Sequence, residues 1–383
     1  MTETTDVKRL KLMHCSDIHL DSPYEGLPAD KNEERRRELR SSFMRMMEIV
    51  REREIDYVFI CGDLLDNRFA TGTTAEILIR EFRTCPTTKF IIAPGVSDCY
   101  SEDSIYRSGR FPENCYFFTS EKLSRMDFEE DSLTVYGWAF TGNPITVNPL
   151  TDNQVGDSSS INIVCGYADL DGDVDSTVCP ISTADLKRFG ADYYALGSRH
   201  GATDFKKFAS GMYSYSGSLS CTGFDRPESG GAHFLTVEHK NGETSISGKH
   251  NSFNHLRFAT EQIDITGVSS NNEITNRISR LISSKKYDSD TALRVEFTGE
   301  VDPRFQVPLH MESDSFGLYY FEAKDRTLPL YNTASFERDM SVAGEIYRRL
   351  VPIMRSGSEE DRMVAARAFR VGLAALEKRE GDF

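Results

Sequence analysis

Residues 10–19 read LKLMHCSDIH, an apolar run that leads into a polar loop. Residues 57–66, YVFICGDLLD, repeat this pattern, and residues 90–93, FIIA, form a third short apolar run. Such runs are too short for helices and are rich in strand-forming residues. Apolar residues at helical spacing mark the two segments between them, 35–50 and 74–82. Strand, helix, strand, helix, strand predicts a parallel sheet within an α/β fold.

Carboxylates and a histidine follow the predicted strands. Asp17 and His19 come after the first strand, Asp63 and Asp66 after the second, and Asp98 after the third. In parallel sheets the functional residues gather at the carboxyl ends of the strands. Carboxylates bind hard divalent metals, and imidazole suits zinc, iron or manganese. The sequence therefore predicts a metal site at this edge of the sheet.

The composition is that of an ordinary globular chain, with 383 residues, 27% of them charged and 39% hydrophobic. No run of about 18 apolar residues occurs, which predicts no membrane contact. The first residues are polar and lack the apolar region of a signal peptide, so we expect a cytoplasmic protein. The eight cysteines are scattered without a CxxC pair, which favours reduced thiols over disulfides or a zinc site.

The formal net charge of −15 disfavours tight, sequence-independent binding of DNA by this chain alone. Residues 333–383 carry as many acidic as basic side chains, so the rest of the chain holds the whole negative charge. The run Arg35-Arg36-Arg37 is flanked by three glutamates. We interpret it as a solvated helix face rather than a DNA-binding patch.

Three segments are predicted along the chain. Residues 1–255 contain the strands and the candidate site, residues 256–332 suggest a small β-α-β unit, and residues 333–383 are helical in pattern. One apolar stripe follows the last helix, at Met363, Ala366, Phe369, Leu373 and Leu376. Docking of this stripe on the chain itself and docking on a partner helix are both open alternatives.

The order of the motifs resembles that of the calcineurin-like metallophosphoesterases. These motifs are Asp17-Ile18-His19, Gly62-Asp63-Leu64-Leu65-Asp66, Pro94-Gly95 followed by Asp98, and Gly197-Ser198-Arg199-His200. The resemblance is to the DNA-repair exonuclease branch, with its SbcD-like and YhaO-like nuclease subunits. It implies a sandwich of two mixed sheets flanked by helices, a small α+β capping domain and a helical C-terminal tail.

The resemblance implies two metal positions, and only one of them keeps its ligands. The first metal of the family corresponds to Asp17, His19, Asp63 and His200, each with the expected residue type. The resemblance therefore implies one divalent ion, manganese, iron or zinc. A polar cluster of the same residues, hydrogen bonded and without a metal, is the alternative interpretation.

The ligands that bind only the second metal in the family are replaced in this chain. The family's asparagine corresponds to Val96, and the first histidine of its Gly-His-x-His motif corresponds to Ser198. A further histidine corresponds to Tyr167, or to Cys165 in a shifted register. Valine offers no lone pair, and serine and neutral tyrosine are poor substitutes for imidazole. A second metal is therefore not expected.

The family's catalytic histidine corresponds to Ser97, with Asp98 behind it, so no catalytic residue of the family is intact. The neighbouring Arg199 is a candidate phosphate contact in the vacated metal volume, although it could equally point to solvent. A serine hydrolase is disfavoured because no G-x-S-x-G motif surrounds Ser97 or Ser218.

Two functions follow from the resemblance. The first is a metallophosphoesterase-fold subunit that has reduced or lost hydrolytic activity. The second is an active metal-dependent phosphodiesterase or exonuclease on DNA. The resemblance also implies a coiled-coil SMC-type ATPase as partner, bound through the C-terminal helices, with DNA held weakly or through that complex. A homodimer is a further alternative.

Overall fold

The computed structural model describes residues 7–23, 29–172, 176–208, 211–221, 223–224, 230–253, 256–302, 305–330 and 336–376. The backbone contacts divide the chain into two compact units, Met1–His255 and Leu256–Phe383. The expected limit between residues 332 and 333 falls within 331–335, which lie outside the described residues.

In the described residues of the first unit, the structure has fourteen strands and four α-helices. The strands are β1 Lys8–Cys15, β2 Tyr57–Cys61, β3 Lys89–Ala93, β4 Cys115–Phe117, β5 Ser124–Phe128, β6 Leu133–Gly137, β7 Ile161–Tyr167, β8 Asp169–Leu170, β9 Pro180–Ile181, β10 Tyr193–Gly197, β11 Lys206–Phe208, β12 Gly211–Tyr215, β13 Gly231–Lys240 and β14 Glu243–Ser252. The helices are α1 Ala29–Glu52, α2 Gly72–Arg83, α3 Ile105–Ser108 and α4 Thr183–Phe189.

Twelve of these strands form two mixed sheets of six strands each. The first sheet has the order β14-β13-β1-β2-β3-β4, and the second has the order β11-β12-β10-β7-β6-β5. In the first sheet, strands β1 to β4 are parallel, and β13 and β14 are antiparallel to their neighbours. In the second sheet, β12, β10, β7 and β6 are parallel, and the edge strands β11 and β5 are antiparallel to their neighbours. The expected fold of two mixed sheets flanked by helices is confirmed.

Apolar side chains from both sheets pack together in a shared core. Leu12 and Phe59 of the first sheet meet Ile163 and Tyr193 of the second sheet there. On the other face of the first sheet, apolar residues of α1 and α2 cover the strands; Phe43 and the other core residues of α1 lie at the helical spacing predicted from the sequence. This packing fixes the strand ends that carry the candidate site.

The arginine run on α1 is solvated only in part, because Arg37 is exposed whereas Arg35 is buried. Arg35 is only 1% exposed, and its guanidinium donates to Ser220 Oγ at 3.0 Å and to the Cys221 carbonyl oxygen at 2.5 Å. It also pairs with Glu38 on the same helix at 2.8 Å. Burying a charged group requires such partners. Two of them come from a loop far along the chain, so the sequence-based interpretation is corrected for Arg35.

The second unit is a small α+β structure followed by two helices. Its elements are β15 Arg257–Asp264, α5 Asn271–Lys285, β16 Thr291–Thr298, β17 Glu300–Val301, β18 Tyr320–Asp325, β19 Leu328–Pro329, α6 Val342–Ser356 and α7 Glu359–Leu376. Strands β15, β16 and β18 are parallel neighbours, so β15, α5 and β16 form the predicted β-α-β unit. Phe369 of α7 packs against Tyr347 of α6, with ring centres 5.6 Å apart. In the described ranges, every helix is too short or too polar to cross a bilayer.

Candidate metal centre

Three loops at the carboxyl ends of parallel strands carry the predicted site. Asp17 and His19 follow β1, Asp63 follows β2, and His200 follows β10. The first two loops are joined by their backbones, since the amide of Asp17 donates to the Gly62 carbonyl at 3.0 Å and that of His19 donates to the Asp63 carbonyl at 2.9 Å. The side chains therefore meet at one edge of the sandwich, as the strand order predicts.

The backbone at these positions is strained. Asp17, His19 and Asp63 have φ angles of 49°, 47° and 51°, and Ser198 has a φ of 110°. Left-handed backbone costs about 1–3 kcal/mol at a residue other than glycine, and such residues cluster at functional sites. Four strained residues in three neighbouring loops therefore mark this edge as a candidate functional site.

Asp17, His19 and His200 form a compact cluster. One ligand atom from each lies within 4.8 Å of the others, and Nε2 of His200 stands 3.8 Å from Oδ1 of Asp17. Ser16 Oγ and the amide of Ser198 donate to the other carboxylate oxygen of Asp17, at 2.6 and 3.2 Å. The carboxylate is thus held with Oδ1 facing the two imidazoles.

The donor set of this cluster fits a divalent metal. Oδ1 of Asp17 and Nε2 of His19 are buried and have no hydrogen-bond partner among the described residues. Buried polar atoms are nearly always paired, and an unpaired one calls for an explanation such as an ion. Two imidazoles and a carboxylate are suitable ligands for zinc, iron or manganese. Asp17, His19 and His200 would hold such an ion, and the negative charge of the Asp17 carboxylate would partly neutralise it.

Asp63 lies beside this cluster but is bonded elsewhere. Its Oδ2 is 3.7 Å from Nε2 of His19. The amide of Ser97 donates to Oδ1 at 2.8 Å, and the hydroxyl groups of Ser97 and Tyr167 donate to Oδ2 at 3.0 and 2.8 Å. The predicted fourth ligand is therefore adjacent to the metal cluster, with most of its hydrogen-bonding capacity already used.

Burial dominates the electrostatics of the centre. It raises the pKa of Asp17, and the neighbouring charge of Asp63 raises it further. Burial also raises the pKa of Asp63, although the hydrogen bonds from Ser97 and Tyr167 act in the opposite direction. Two buried carboxylates near each other resist ionisation, and a divalent cation would stabilise their charged forms.

Two of the three predicted positions of the second metal hold side chains that are hydrogen bonded to other groups, and the third is exposed. Val96 is 49% exposed. Ser198 Oγ donates to the Ala168 carbonyl at 2.6 Å, and Tyr167 donates to Asp63. Cys165 instead lies in the core, with its Sγ 3.5 Å from that of Cys61. Of the two alternatives, it is Tyr167 that the structure places against Asp63.

Asp98 braces the loop of Asp63. Its carboxylate accepts hydrogen bonds from the amides of Asp63, Leu64 and Gly95 at 3.0, 2.8 and 2.6 Å, and from the Tyr106 hydroxyl at 2.6 Å. Burial raises its pKa, and the charge of Asp63 adds to this effect. These contacts give Asp98 a structural role. The residue before it, Ser97, stands where the family has its catalytic histidine.

Arg199 does not occupy the vacated metal volume. It is exposed, donates to the Leu170 carbonyl at 2.7 Å and lies 4.8 Å from the centre of the Tyr215 ring. The carbonyl and the aromatic face satisfy the guanidinium away from Asp63. The prediction that Arg199 contacts a phosphate in the vacated metal volume is therefore wrong.

Arg68 is the cation beside the site that sequence reasoning missed. It lines the same cleft as His19 and His200, and its guanidinium donates to both oxygens of Asp66 at 3.0 and 2.7 Å. Burial acts to raise the pKa of Asp66, but the bonds from Arg68 outweigh it and lower the pKa. The only signal in the sequence was its place two residues after the Gly-Asp-x-x-Asp motif.

A cleft of about 450 Å³ opens over the cluster. Its described lining includes His19, Asp63, Ser97 and His200 on the polar side. The volume lies within the usual range for small-molecule sites. A ligand in this cleft can therefore reach the metal-binding atoms.

Comparison with known proteins finds matches to part of this chain. Residues 10–197 match the model of the calcineurin-like phosphoesterase family. The uncharacterized metallophosphoesterase YhaO of Bacillus subtilis is 23% identical over 201 residues, which make up 50% of this chain and 48% of that protein. The chain thus spans about half the length of this curated relative.

Two solved structures are similar to part of the chain. The protein TT1561 of Thermus thermophilus has a TM-score of 0.36 and 8% identity, and the match covers 62% of this chain and 98% of that one. Vacuolar protein sorting 29 of Cryptosporidium parvum has a TM-score of 0.30 and 13% identity, with 64% and 98% covered.

Proposed function

Residues 10–197 belong to the calcineurin-like phosphoesterase family, and from this premise we propose a metallophosphoesterase-fold protein with one working metal site. One divalent ion binds at Asp17, His19 and His200, with Asp63 alongside. A second ion does not bind, and hydrolysis of phosphodiesters is reduced or lost.

The bonding of Asp63 carries this proposal. A carboxylate offers about four lone-pair positions. Ser97 uses two of those of Asp63 and Tyr167 uses a third. About one position is left, which suffices for a single ion but not for a carboxylate that bridges two. Val96, at the edge of the same space, has no atom that could bind a metal.

Loss of the second ion removes most of the usual chemistry. In two-metal sites, ions about 4 Å apart activate the nucleophile and stabilise the leaving oxygen. Losing one such electrostatic donor slows a reaction by roughly 100- to 1,000-fold. Ser97 stands where the family has its general acid. Loss of a general acid slows a reaction by a further factor of roughly 100 to 10,000, if the two losses are independent.

Metal content and hydrolysis test this proposal together. Elemental analysis of the full chain, saturated with manganese and then freed of unbound metal, should find about one ion per chain. His200→Ala should bind none, and turnover of bis-p-nitrophenyl phosphate should stay near background. Two ions per chain together with rapid turnover, abolished in Asp63→Asn, would establish the active phosphodiesterase or exonuclease instead.

The partner belongs to the same proposal. We propose that the C-terminal helices bind a coiled-coil SMC-type ATPase in the cytoplasm and that DNA is held by the complex rather than by this acidic chain. Apolar side chains on α6 and α7 support this, since Val342 and Val364 are 62% and 63% exposed. Deleting residues 333–383 should abolish co-purification with the ATPase, whereas unchanged association would contradict the assignment. A concentration-dependent homodimer in light scattering would support the alternative assembly.

A further inference from the structure

Residues 216–221 follow strand β12 and form a buried loop, which we call the serine loop. Its sequence is SGSLSC, and its three serines are at most 2% exposed. Buried hydroxyl groups are nearly always hydrogen bonded, so the partners of these serines show what the loop holds in place. Its hydrogen bonds lead to the segments that carry Asp17 and His200.

One chain of hydrogen bonds runs from the serine loop to Asp17. Ser16 Oγ lies 2.6 Å from Oδ2 of Asp17 and 3.0 Å from Oγ of Ser216. A hydroxyl group has one proton to donate, and the charged carboxylate is the closer acceptor, so Ser16 donates to Asp17 and accepts from Ser216. The Gly217 carbonyl is a more distant acceptor for the Ser216 proton, at 3.2 Å. Ser216 therefore acts on a metal-binding carboxylate through Ser16.

The serine loop also contacts the backbone of His200. The amide of Ser218 donates to the His200 carbonyl at 2.9 Å. A Cβ at Gly217 would come within 2.6 Å of the Ala202 amide nitrogen and 2.9 Å of the His200 carbonyl oxygen, so the two segments pack closely. A displacement of the loop would therefore move the backbone that carries the His200 imidazole.

Arg35 of helix α1 holds the far end of the serine loop. Its buried guanidinium donates to Ser220 Oγ and to the Cys221 carbonyl. A guanidinium presents its donors in a fixed plane, so the two acceptors are oriented together. The Ser218 hydroxyl donates to the Ser220 carbonyl at 3.0 Å. The end of the loop that Arg35 holds is thus bonded to the residue that contacts His200.

We propose that the serine loop positions the metal-binding side chains, with Ser216 orienting Asp17 through Ser16 and with Arg35 holding the loop against His200. Groups that hydrogen bond to metal ligands fix the orientation of those ligands, and their loss typically lowers metal affinity by roughly 10- to 100-fold. The inference rests on the proposed function, because it concerns the affinity of that cluster for its ion.

Calorimetric titration of the metal-free full chain with manganese tests the part of Ser216. Ser216→Ala should weaken manganese binding by about tenfold. Ser214→Ala is the matched control, because Ser214 is an equally buried serine on β12 whose Oγ lies 2.7 Å from the Tyr193 hydroxyl instead. It should leave the dissociation constant of manganese unchanged. Wild-type affinity in Ser216→Ala would overturn the inference, and so would an equal loss in Ser214→Ala.

Arg35→Lys tests the contact from α1. Lysine keeps the charge but lacks the planar group that donates to Ser220 and Cys221 together, so manganese affinity should fall by about tenfold. Arg37→Lys, at an exposed position on the same helix, is the control and should change nothing. If Arg35→Lys does not fold, Ser220→Ala removes only the hydroxyl that Arg35 contacts and should also weaken manganese binding. Unchanged affinity in the variant that folds would overturn the assignment of Arg35.

Two further measurements separate positioning from a purely structural role. The free energy of unfolding of each metal-free variant is measured in urea, and the visible spectrum of each cobalt-loaded variant reports on the arrangement of ligands around the ion. We expect the cobalt spectrum of Ser216→Ala to differ from that of the wild type and that of Ser214→Ala to match it. Lower stability in Ser216→Ala with an unchanged spectrum and unchanged affinity would overturn the inference.

The wild type separates this inference from the proposed function. If the wild type binds no manganese, the proposed function fails and this inference fails with it. If the wild type binds one ion and the Ser216 and Arg35 variants bind it equally well, the metal site stands and only the inference is overturned.

Discussion

The hydroxyl group of Tyr167 donates to Oδ2 of Asp63 at 2.8 Å, at the end of a strand in the opposite sheet. A Cβ at Gly62 would overlap the Tyr167 ring, so the close approach of the two sheets here depends on glycine. The phenol is therefore packed tightly against the carboxylate that two ions would have to share.

Removing this hydroxyl should destabilise the fold. Tyr167→Phe leaves the ionised Asp63 with one fewer donor, and a hydrogen bond to a charged group contributes about 2 kcal/mol. The free energy of unfolding in urea at pH 8 should fall by about this amount. Tyr100→Phe is the control, because the Tyr100 hydroxyl makes no hydrogen bond within the part of the chain that the structure describes. Equal effects of the two substitutions would contradict the assigned contact.

Restoring the second metal site should restore hydrolysis. The variant combines Val96→Asn, Ser97→His, Tyr167→His and Ser198→His. An imidazole is smaller than a phenol and fits where the Tyr167 ring lies. We expect two manganese ions per chain and a gain in turnover of bis-p-nitrophenyl phosphate of at least about 100-fold.

The matched control for this variant keeps Tyr167 and carries the other three substitutions. Because the phenol still satisfies Asp63, this protein should retain one ion and near-background turnover. A full gain of activity in the control would show that Tyr167 does not block the second ion.

Manganese should stabilise the protein through the three-residue cluster. A ligand that binds only the folded state at about 100 times its dissociation constant adds about 2.7 kcal/mol to the free energy of unfolding. The melting temperature of the wild type should therefore rise with manganese and fall again with a chelator. His200→Ala should show no such shift, and a shift of equal size in that variant would place the ion elsewhere.

Arg40 should support the loop that carries His19. Its guanidinium donates to both oxygens of the buried Asp21 at 2.6 and 2.8 Å. Arg40→Ala leaves that carboxylate without its charged partner, so the free energy of unfolding should fall by about 2–3 kcal/mol, and manganese affinity should fall as well. Arg37→Ala, an exposed arginine on the same helix, should leave both unchanged. Loss of stability without loss of affinity would separate Asp21 from the metal site.

Buried histidines should make the fold sensitive to acid. His14, His233 and His250 face one another across β1, β13 and β14, with ring centres 5.7 and 5.1 Å apart. Burial lowers the pKa of His233 from 6.5 to about 4. The unfolded chain binds a proton in this range and the folded chain does not, so the stabilising contribution is complete above pH 6.5 and is lost as the pH falls towards 4.

The difference between wild type and His233→Gln isolates this effect, since glutamine can still donate to the Tyr215 carbonyl that His233 contacts at 2.9 Å. At about 1.4 kcal/mol per pKa unit, the variant should gain about 3 kcal/mol relative to wild type between pH 7 and pH 4. The matched control variant is His310→Gln, which replaces a histidine at an exposed position outside this cluster. A constant difference for His233→Gln across this range would contradict the assigned pKa.

The strands and the metal cluster could be predicted because their signals are local. Short apolar runs that end in Asp and His determine both the strand and the loop that follows it. The choice between Cys165 and Tyr167 could not be made in this way. The two residues lie on the same face of β7, and only the register between the sheets sets Cys165 opposite Cys61 and Tyr167 opposite Asp63.

The directions of the arginines could not be predicted either. Arg199 is turned away by the Leu170 carbonyl and the Tyr215 ring, whereas Asp66 turns Arg68 towards the cleft. Arg35 is buried because residues far along the chain accept its hydrogen bonds. A long, flexible cation is directed by tertiary partners that no local pattern contains.

The left-handed backbone at Asp17, His19 and Asp63 has a consequence for protein engineering. Glycine at His19 would relieve about 1 kcal/mol or more of conformational penalty, whereas glycine at Asp17 or Asp63 would also remove the hydrogen bonds that their carboxylates accept. A screen for thermal stability alone would therefore tend to select glycine at His19 and produce more stable proteins that no longer bind a cation. Screens of this chain should retain a readout of cation binding, because thermal stability and metal binding oppose each other at His19.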